Sequence, residues 1–154
     1  MNSLGLAIWL LCGSPATACS LDNHQESDRF QTATSLNNRG ERLRRQGRYQ
    51  EAAALLRKSL QEWEDLLGSA HANLAVPLNN LALVDLAQGR LASAEKRLRR
   101  ALEIRRAALG EAHPLVSFTM RNLSALLAGA GRPTEAEKWS RLAALPSGEI
   151  ASPR

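Results

Sequence analysis

Of the 154 residues only two are cysteine, Cys12 and Cys19, and Cys12 lies inside an apolar N-terminal run. If that run is lost on export, a single thiol remains, which rules out an internal disulfide and a cysteine-built metal site. Aromatic residues make up 4% of the chain, and none stands near its basic run, which argues against a stacking platform for nucleic acid. No apolar run comes near the roughly 20 residues that cross a bilayer as a helix. No segment alternates with period two, so strands are not expected. The three histidines are scattered, His24 near the N-terminus and His71 and His113 in equivalent loops. No spacing matches a metal-ligand set, a nucleophile with its base, or a glycine loop that cradles phosphate. The chain is therefore expected not to be an enzyme, with no catalytic residue, no metal and no cofactor.

What the chain does have is a step of 42 residues. Gly47, Gly89 and Gly131 are spaced by it, each followed by an arginine (Arg48, Arg90, Arg132). The same step links Asn38, Asn80 and Asn122, then Ala52, Ala94 and Ala136, then Arg57, Arg99 and Arg141. A fixed period of this size marks a chain built from stacked copies of one supersecondary unit. Such arrays work mostly by displaying surfaces.

Each copy reads as a helical hairpin. From Tyr49 to Leu67 the apolar or small residues Tyr49, Ala52, Leu56, Ser59, Leu60, Trp63 and Leu67 step by three and four, with charged residues mostly on the other side. A first helix, a tight turn at Gly47, Gly89 or Gly131, and a second helix make the unit. Glycine suits the turn because it reaches left-handed backbone angles without a Cβ clash. Ala52, Ala94 and Ala136 face Gly40, Ala82 and Ser124, so small residues meet where the two helices cross.

The copies are unequal. Arg39 stands where the second unit has Leu81, so the first helix presents the polar side of a capping unit. Asp85 stands where Leu43 and Leu127 are apolar, and Pro77 falls inside an expected helix. An interior proline costs about 3 kcal/mol, so that helix either kinks or begins near Pro77. Pro133 opens a short last helix, and Pro146-Ser147-Gly148 ends it. Leu142 and Leu145 then lack a following unit to cover them, which suggests a homodimer through the truncated third unit.

At the N-terminus, Leu4 to Leu11 form an apolar run and Ala16-Thr17-Ala18 supply the small residues of a cleavage site. Residues 1–18 are expected to be a signal peptide, although Met1-Asn2-Ser3 carry no basic charge. Export to the periplasm, the medium or the envelope follows, with a cytoplasmic chain as the alternative. Ala16-Thr17-Ala18-Cys19 also resembles a bacterial lipobox, which would put a lipid on Cys19 and attach the chain to a membrane. Ordinary cleavage ahead of Cys19 is the competing reading. Residues 19–33 are polar and unperiodic and read as a tether. The array then covers 34–145, in units of about 34–75, 76–117 and 118–145, followed by a tail at 146–154.

Leu78-Asn79-Asn80-Leu81-Ala82, then Gln88-Gly89-Arg90, Arg100-Ala101-Leu102-Glu103-Ile104-Arg105 and Leu109-Gly110-Glu111-Ala112-His113-Pro114, carry a family resemblance. The chain resembles the tetratricopeptide repeat in its 42-residue, kinesin-light-chain-like form. The resemblance implies an all-α superhelix of about three helix-turn-helix repeats. It implies a scaffold that binds a protein or peptide in a concave groove lined by the first helix of each unit. The groove row it implies is Asn37, Asn79 and Arg121: amides for a peptide main chain and a guanidinium for a carboxylate. The adjacent row, Asn38, Asn80 and Asn122, is assigned to structure, through hydrogen bonds to neighbouring backbone. The alternative partner is an anionic polymer or membrane surface. It would meet Lys96, Arg97, Arg99, Arg100, Arg105 and Arg106 on the convex side. Against it, Glu95–Arg99 and Glu103–Arg106 have the spacing of helix-stabilising pairs, which makes this run a solvated face.

Overall fold

The computed structural model describes residues 15–144, with side chains from residue 25 onward. Its helices are α1 (Pro15–Arg45), α2 (Tyr49–Leu67), α3 (Ala75–Ala87), α4 (Leu91–Leu109), α5 (Pro114–Gly129) and α6 (Pro133–Ala144). A 3-10 turn, Ala72–Leu74, precedes α3, and among the described residues there is no strand. The pairs α1/α2, α3/α4 and α5/α6 are hairpins, and they stack in sequence through α2 on α3 and α4 on α5. This is the all-α array of three helical hairpins that the 42-residue step implies.

The hairpin turns work as expected. Gly47, Gly89 and Gly131 have φ of 76°, 73° and 75°. In each turn the following arginine N–H reaches back five residues: Arg48 to Leu43 O, Arg90 to Asp85 O and Arg132 to Leu127 O, at 2.8–3.0 Å. The glycine N–H closes the inner bond at 3.0–3.1 Å, completing a Schellman motif. Two more glycines carry equal weight at the unit junctions: Gly68 and Gly110 cap α2 and α4 with φ/ψ of 81°/165° and 80°/161°. That region is essentially closed to residues with a Cβ. Gly110→Ala is expected to destabilise by about 1–3 kcal/mol, measured by urea unfolding, although nothing stands within 4 Å of the added carbon.

The helix crossings also hold. A Cβ on Gly40 would stand 2.7 Å from Leu56 Cγ and 3.3 Å from the Ala52 carbonyl oxygen. Ser124 Oγ donates to the Ala136 carbonyl at 2.6 Å, and Ala52 and Ala94 are fully buried. The stacked hairpins enclose the core: Leu56, Leu81 and Val84 near the first turn, Trp63, Leu74 and Leu78 further along, and Leu98, Met120, Leu123 and Leu127 between the last two units.

Pro77 neither kinks nor breaks its helix. The chain leaves α2 through the 3-10 turn, and α3 starts at Ala75, so Pro77 sits in the first turn, where its N–H would have no helical partner. His71 and His113 cap the two junctions: Nδ1 of each accepts the backbone N–H two residues on, from Asn73 and Leu115.

The stretch read as a tether is helical instead. Residues 19–33 lie within α1, and their last part packs on α2. Arg29 pairs with Glu62 at 3.1 Å, Phe30 meets the Trp63 ring edge-on at 4.4 Å, and Ala33 is fully buried with its carbonyl accepting from Ser59 Oγ. The physical reason is the length of α2: its second half needs cover, and α1 provides it upstream of residue 34. Leu142 is half-buried against the last core cluster, so it has cover within the described array. Most of the expected signal peptide (residues 1–14), the tail at 146–154 and Leu145 lie outside the described residues, as does the side chain of Cys19.

Asp85 has its explanation in the turn. In the first and third units the turn arginine pairs forward, Arg48 with Glu51 and Arg132 with Glu135. The second unit has Ser93 at that position, and Arg90 turns back to Asp85 at 2.6 Å. Arg97 of α4 holds the other carboxylate oxygen at 2.7 Å. An ion triad thus stands where the other turns close with a leucine.

Candidate binding groove

The first helices of the three units, α1, α3 and α5, lie side by side and present equivalent residues every 42 positions. Across them runs a ladder of amides. Asn80 Nδ2 donates to Asn37 Oδ1 at 3.0 Å, and Asn122 Nδ2 donates to Asn79 Oδ1 at 2.8 Å. Asn37 and Asn79 are buried, and Asn37 also donates to Asn38 Oδ1. The two asparagine rows are therefore one device that ties each first helix to the next. The row assigned to structure does stack the units, but its acceptors are side-chain amides rather than backbone. The two asparagines expected to meet a ligand spend their carbonyl oxygens inside the stack. Arg121, third in that row, is exposed and has no carboxylate within ion-pair distance among the described residues.

Beside the ladder lies a hollow of about 290 Å³ between α1 and α3. It is lined by Phe30, Thr34, Asn37, Asn38, Trp63, Asn73 and Val76. Its counterpart one unit on is framed by different residues. Trp63 is replaced by Arg105, Asn73 by Leu115 and Val76 by Phe118. Leu115 and Phe118 are 44% and 42% exposed, the pair of large apolar side chains that α5 leaves to solvent.

Arg105 is the residue that spacing alone did not single out. It belongs to the basic run of α4 in sequence, yet it is only 5% exposed and points toward α5 rather than outward. Its Nη1 donates to Thr119 Oγ1 and to the Leu115 carbonyl oxygen at 3.3 Å, both neutral acceptors. Nη2 and Nε find no protein partner among the described residues, and neither is sealed from solvent. Burial pushes its guanidinium down from the ordinary range. A buried cation with no carboxylate is costly, and such groups concentrate at functional sites. A sequence signal existed in hindsight: Arg105 is the 42-residue equivalent of Trp63, a core residue.

The other arginines of the basic run are already engaged, while Lys96 is exposed and has no ion-pair partner among the described residues. Arg97 pairs with Asp85, Arg99 with Glu95, and Arg100 with Glu64 of the preceding unit. Arg106 lies 2.9 Å from Glu111, not on Glu103 as its helical spacing suggests. Arg99 and Arg106 also sit over the Trp139 ring of α6, at 6.0 and 5.4 Å from its centroid. Arg99, Arg100 and Arg106 reach neighbouring units and Arg97 ties α4 to α3 within its own, so the arginines of the run are not a free basic patch.

Glu95 shows the same logic. It takes Arg99 of its own helix and Arg132 of the next turn, both at 2.7 Å. Burial pushes its carboxyl up, but the two arginines prevail and hold it below the usual carboxylate range. A group depressed in the folded state stabilises above its unfolded value, near 4.3, and loses that contribution as pH falls through the folded value. Glu95→Gln is therefore expected to remove part of the stability lost below about pH 4.3, read from thermal unfolding between neutral and acid pH.

A family model described as tetratricopeptide repeat matches residues 31–107 and, in a second overlapping placement, 75–144. Among solved structures the chain is similar to BtubC (BKLC) from P. vanneervenii, at 27% identity and a TM-score of 0.67. That likeness covers 79% of this chain and 50% of the other, so the chain spans half the length of that neighbour. Comparison with curated proteins returns no match.

Proposed function

The chain belongs to the tetratricopeptide-repeat family, whose arrays are protein–protein interaction scaffolds, and from that premise we propose that the face of α1, α3 and α5 binds an extended acidic segment of a partner protein. The observation that carries this reading is Arg105, buried without a carboxylate beside the exposed Leu115 and Phe118. A peptide lying across α3 and α5 could set an apolar side chain on Leu115 and Phe118 and a carboxylate on Arg105. Arg121 supplies a second, exposed cation on α5, the helix that carries Leu115 and Phe118. The amide ladder then acts beneath the peptide, fixing the spacing between units. The convex alternative is weakened because Arg97, Arg99, Arg100 and Arg106 already hold carboxylates of the chain itself.

Selection of random linear peptides on the full chain tests the reading. Enriched peptides should combine an apolar residue with Asp or Glu, and should bind Arg105→Met with Arg121→Ala at least tenfold more weakly. Peptides of no common charge, or equal binding to the double variant, would sink it. For the N-terminus, export with a lipid on Cys19 is a separate proposal. Labelled palmitate should mark the chain and not Cys19→Ser, and no label on either removes the lipid.

A further inference from the structure

In the second and third units, one side of the first helix packs on the preceding hairpin. Leu81 and Val84 fill it in α3, and Leu123 and Leu126 fill it in α5, all almost completely buried. On α1 the same register positions are Arg39 and Arg42, both exposed. Neither has a carboxylate within ion-pair distance among the described residues, although most other arginines do. Hollows of about 500 and 510 Å³ flank these two arginines, one opening toward Leu43 and Leu55, the other toward Thr34 and Ser35.

The charge along this side of α1 is not uniform. Asp28, Gln31, Ser35, Asn38 and Arg42 step by three and four, so they form one seam along the helix, and all five are exposed. The seam is acidic at one end, basic at the other, and has a small residue at its centre. We propose that this seam is a self-association surface, on which α1 of a second copy packs antiparallel about Ser35. Two-fold symmetry then sets Asp28 of each copy against Arg42, with Arg39 one turn away, and Gln31 against Asn38. Ser35 lets the two backbones approach at the crossing, as small residues do within each hairpin. The contact involves one helix pair, so it falls at the small end of specific interfaces. It is therefore reversible and weakened by salt.

Sedimentation equilibrium of the full chain at low salt, up to several hundred micromolar, tests this. The chain should dimerise, while Asp28→Arg alone and Arg39→Asp with Arg42→Asp should each dimerise at least tenfold more weakly. Mixing those two variants should restore a heterodimer, because the swapped charges again oppose each other. All the changes are at exposed positions, and unchanged circular dichroism would confirm the fold. A monomeric chain, association unaffected by either variant, or a mixture that stays monomeric would overturn the proposal. None of these substitutions touches Arg105 or Arg121, so failure here leaves the groove reading intact.

Discussion

Arg90→Ala combined with Arg97→Ala is expected to destabilise the array by about 3 kcal/mol, the lower end for stripping a buried ion pair of its partner. The Asp85 carboxylate is 3% exposed, and its two oxygens are held separately, Oδ1 by Arg90 and Oδ2 by Arg97. Removing both guanidiniums leaves a charge at the base of α3 with no compensation, although the truncated side chains let some water in. Asp85→Leu should behave in the opposite way. It restores the residue that Leu43 and Leu127 provide in the other turns, and it releases two arginines that are already 43% and 27% exposed. Stability should then stay within about 1 kcal/mol of the parent, or rise. Urea unfolding of the two variants side by side decides. If the double alanine variant costs less than about 1 kcal/mol, the carboxylate is better solvated than its burial implies.

The contrast shows which parts of the molecule a single sequence reveals. Gly89 was legible because a tight turn demands φ above zero and only glycine supplies it cheaply. Ala94 and Ala82 were legible because two helices cross closely there. Those constraints are local and recur every 42 residues. Asp85 was visible as a departure but not as part of a triad, because its second partner, Arg97, lies on the neighbouring helix. The groove row was legible only in part, for a related reason. Asn37 and Asn79 have the chemistry of ligand contacts, yet Asn80 and Asn122 engage their carbonyl oxygens across a unit boundary. The helicity of residues 19–33 was hidden because their composition is polar and, among the described side chains, those that meet α2 come late, at Arg29, Phe30 and Ala33. Pairings between units depend on how hairpins stack; the register of Arg105 with Trp63 marks it as the arginine that turns inward, but not which groups it meets there.

Arg105 turns that point into a prediction with two signs. Arg105→Met should not lower stability, since a desolvated cation gives way to an apolar side chain of similar length. Thr119 would not be orphaned, because its hydroxyl already donates to the Leu115 carbonyl oxygen at 2.9 Å. Affinity for an acidic peptide selected on the parent chain should nevertheless fall by about 10–100-fold, since hydrogen bonds to charged groups contribute about 1.5–3 kcal/mol. Arg105→Lys should fall between the two, because an ammonium keeps the charge but not the paired donors of a guanidinium. Thermal unfolding and fluorescence anisotropy on the same samples separate the possibilities. A drop in stability with unchanged affinity would make Arg105 a packing residue. A gain in stability with lost affinity is the signature of a side chain kept for its ligand at a cost to the fold.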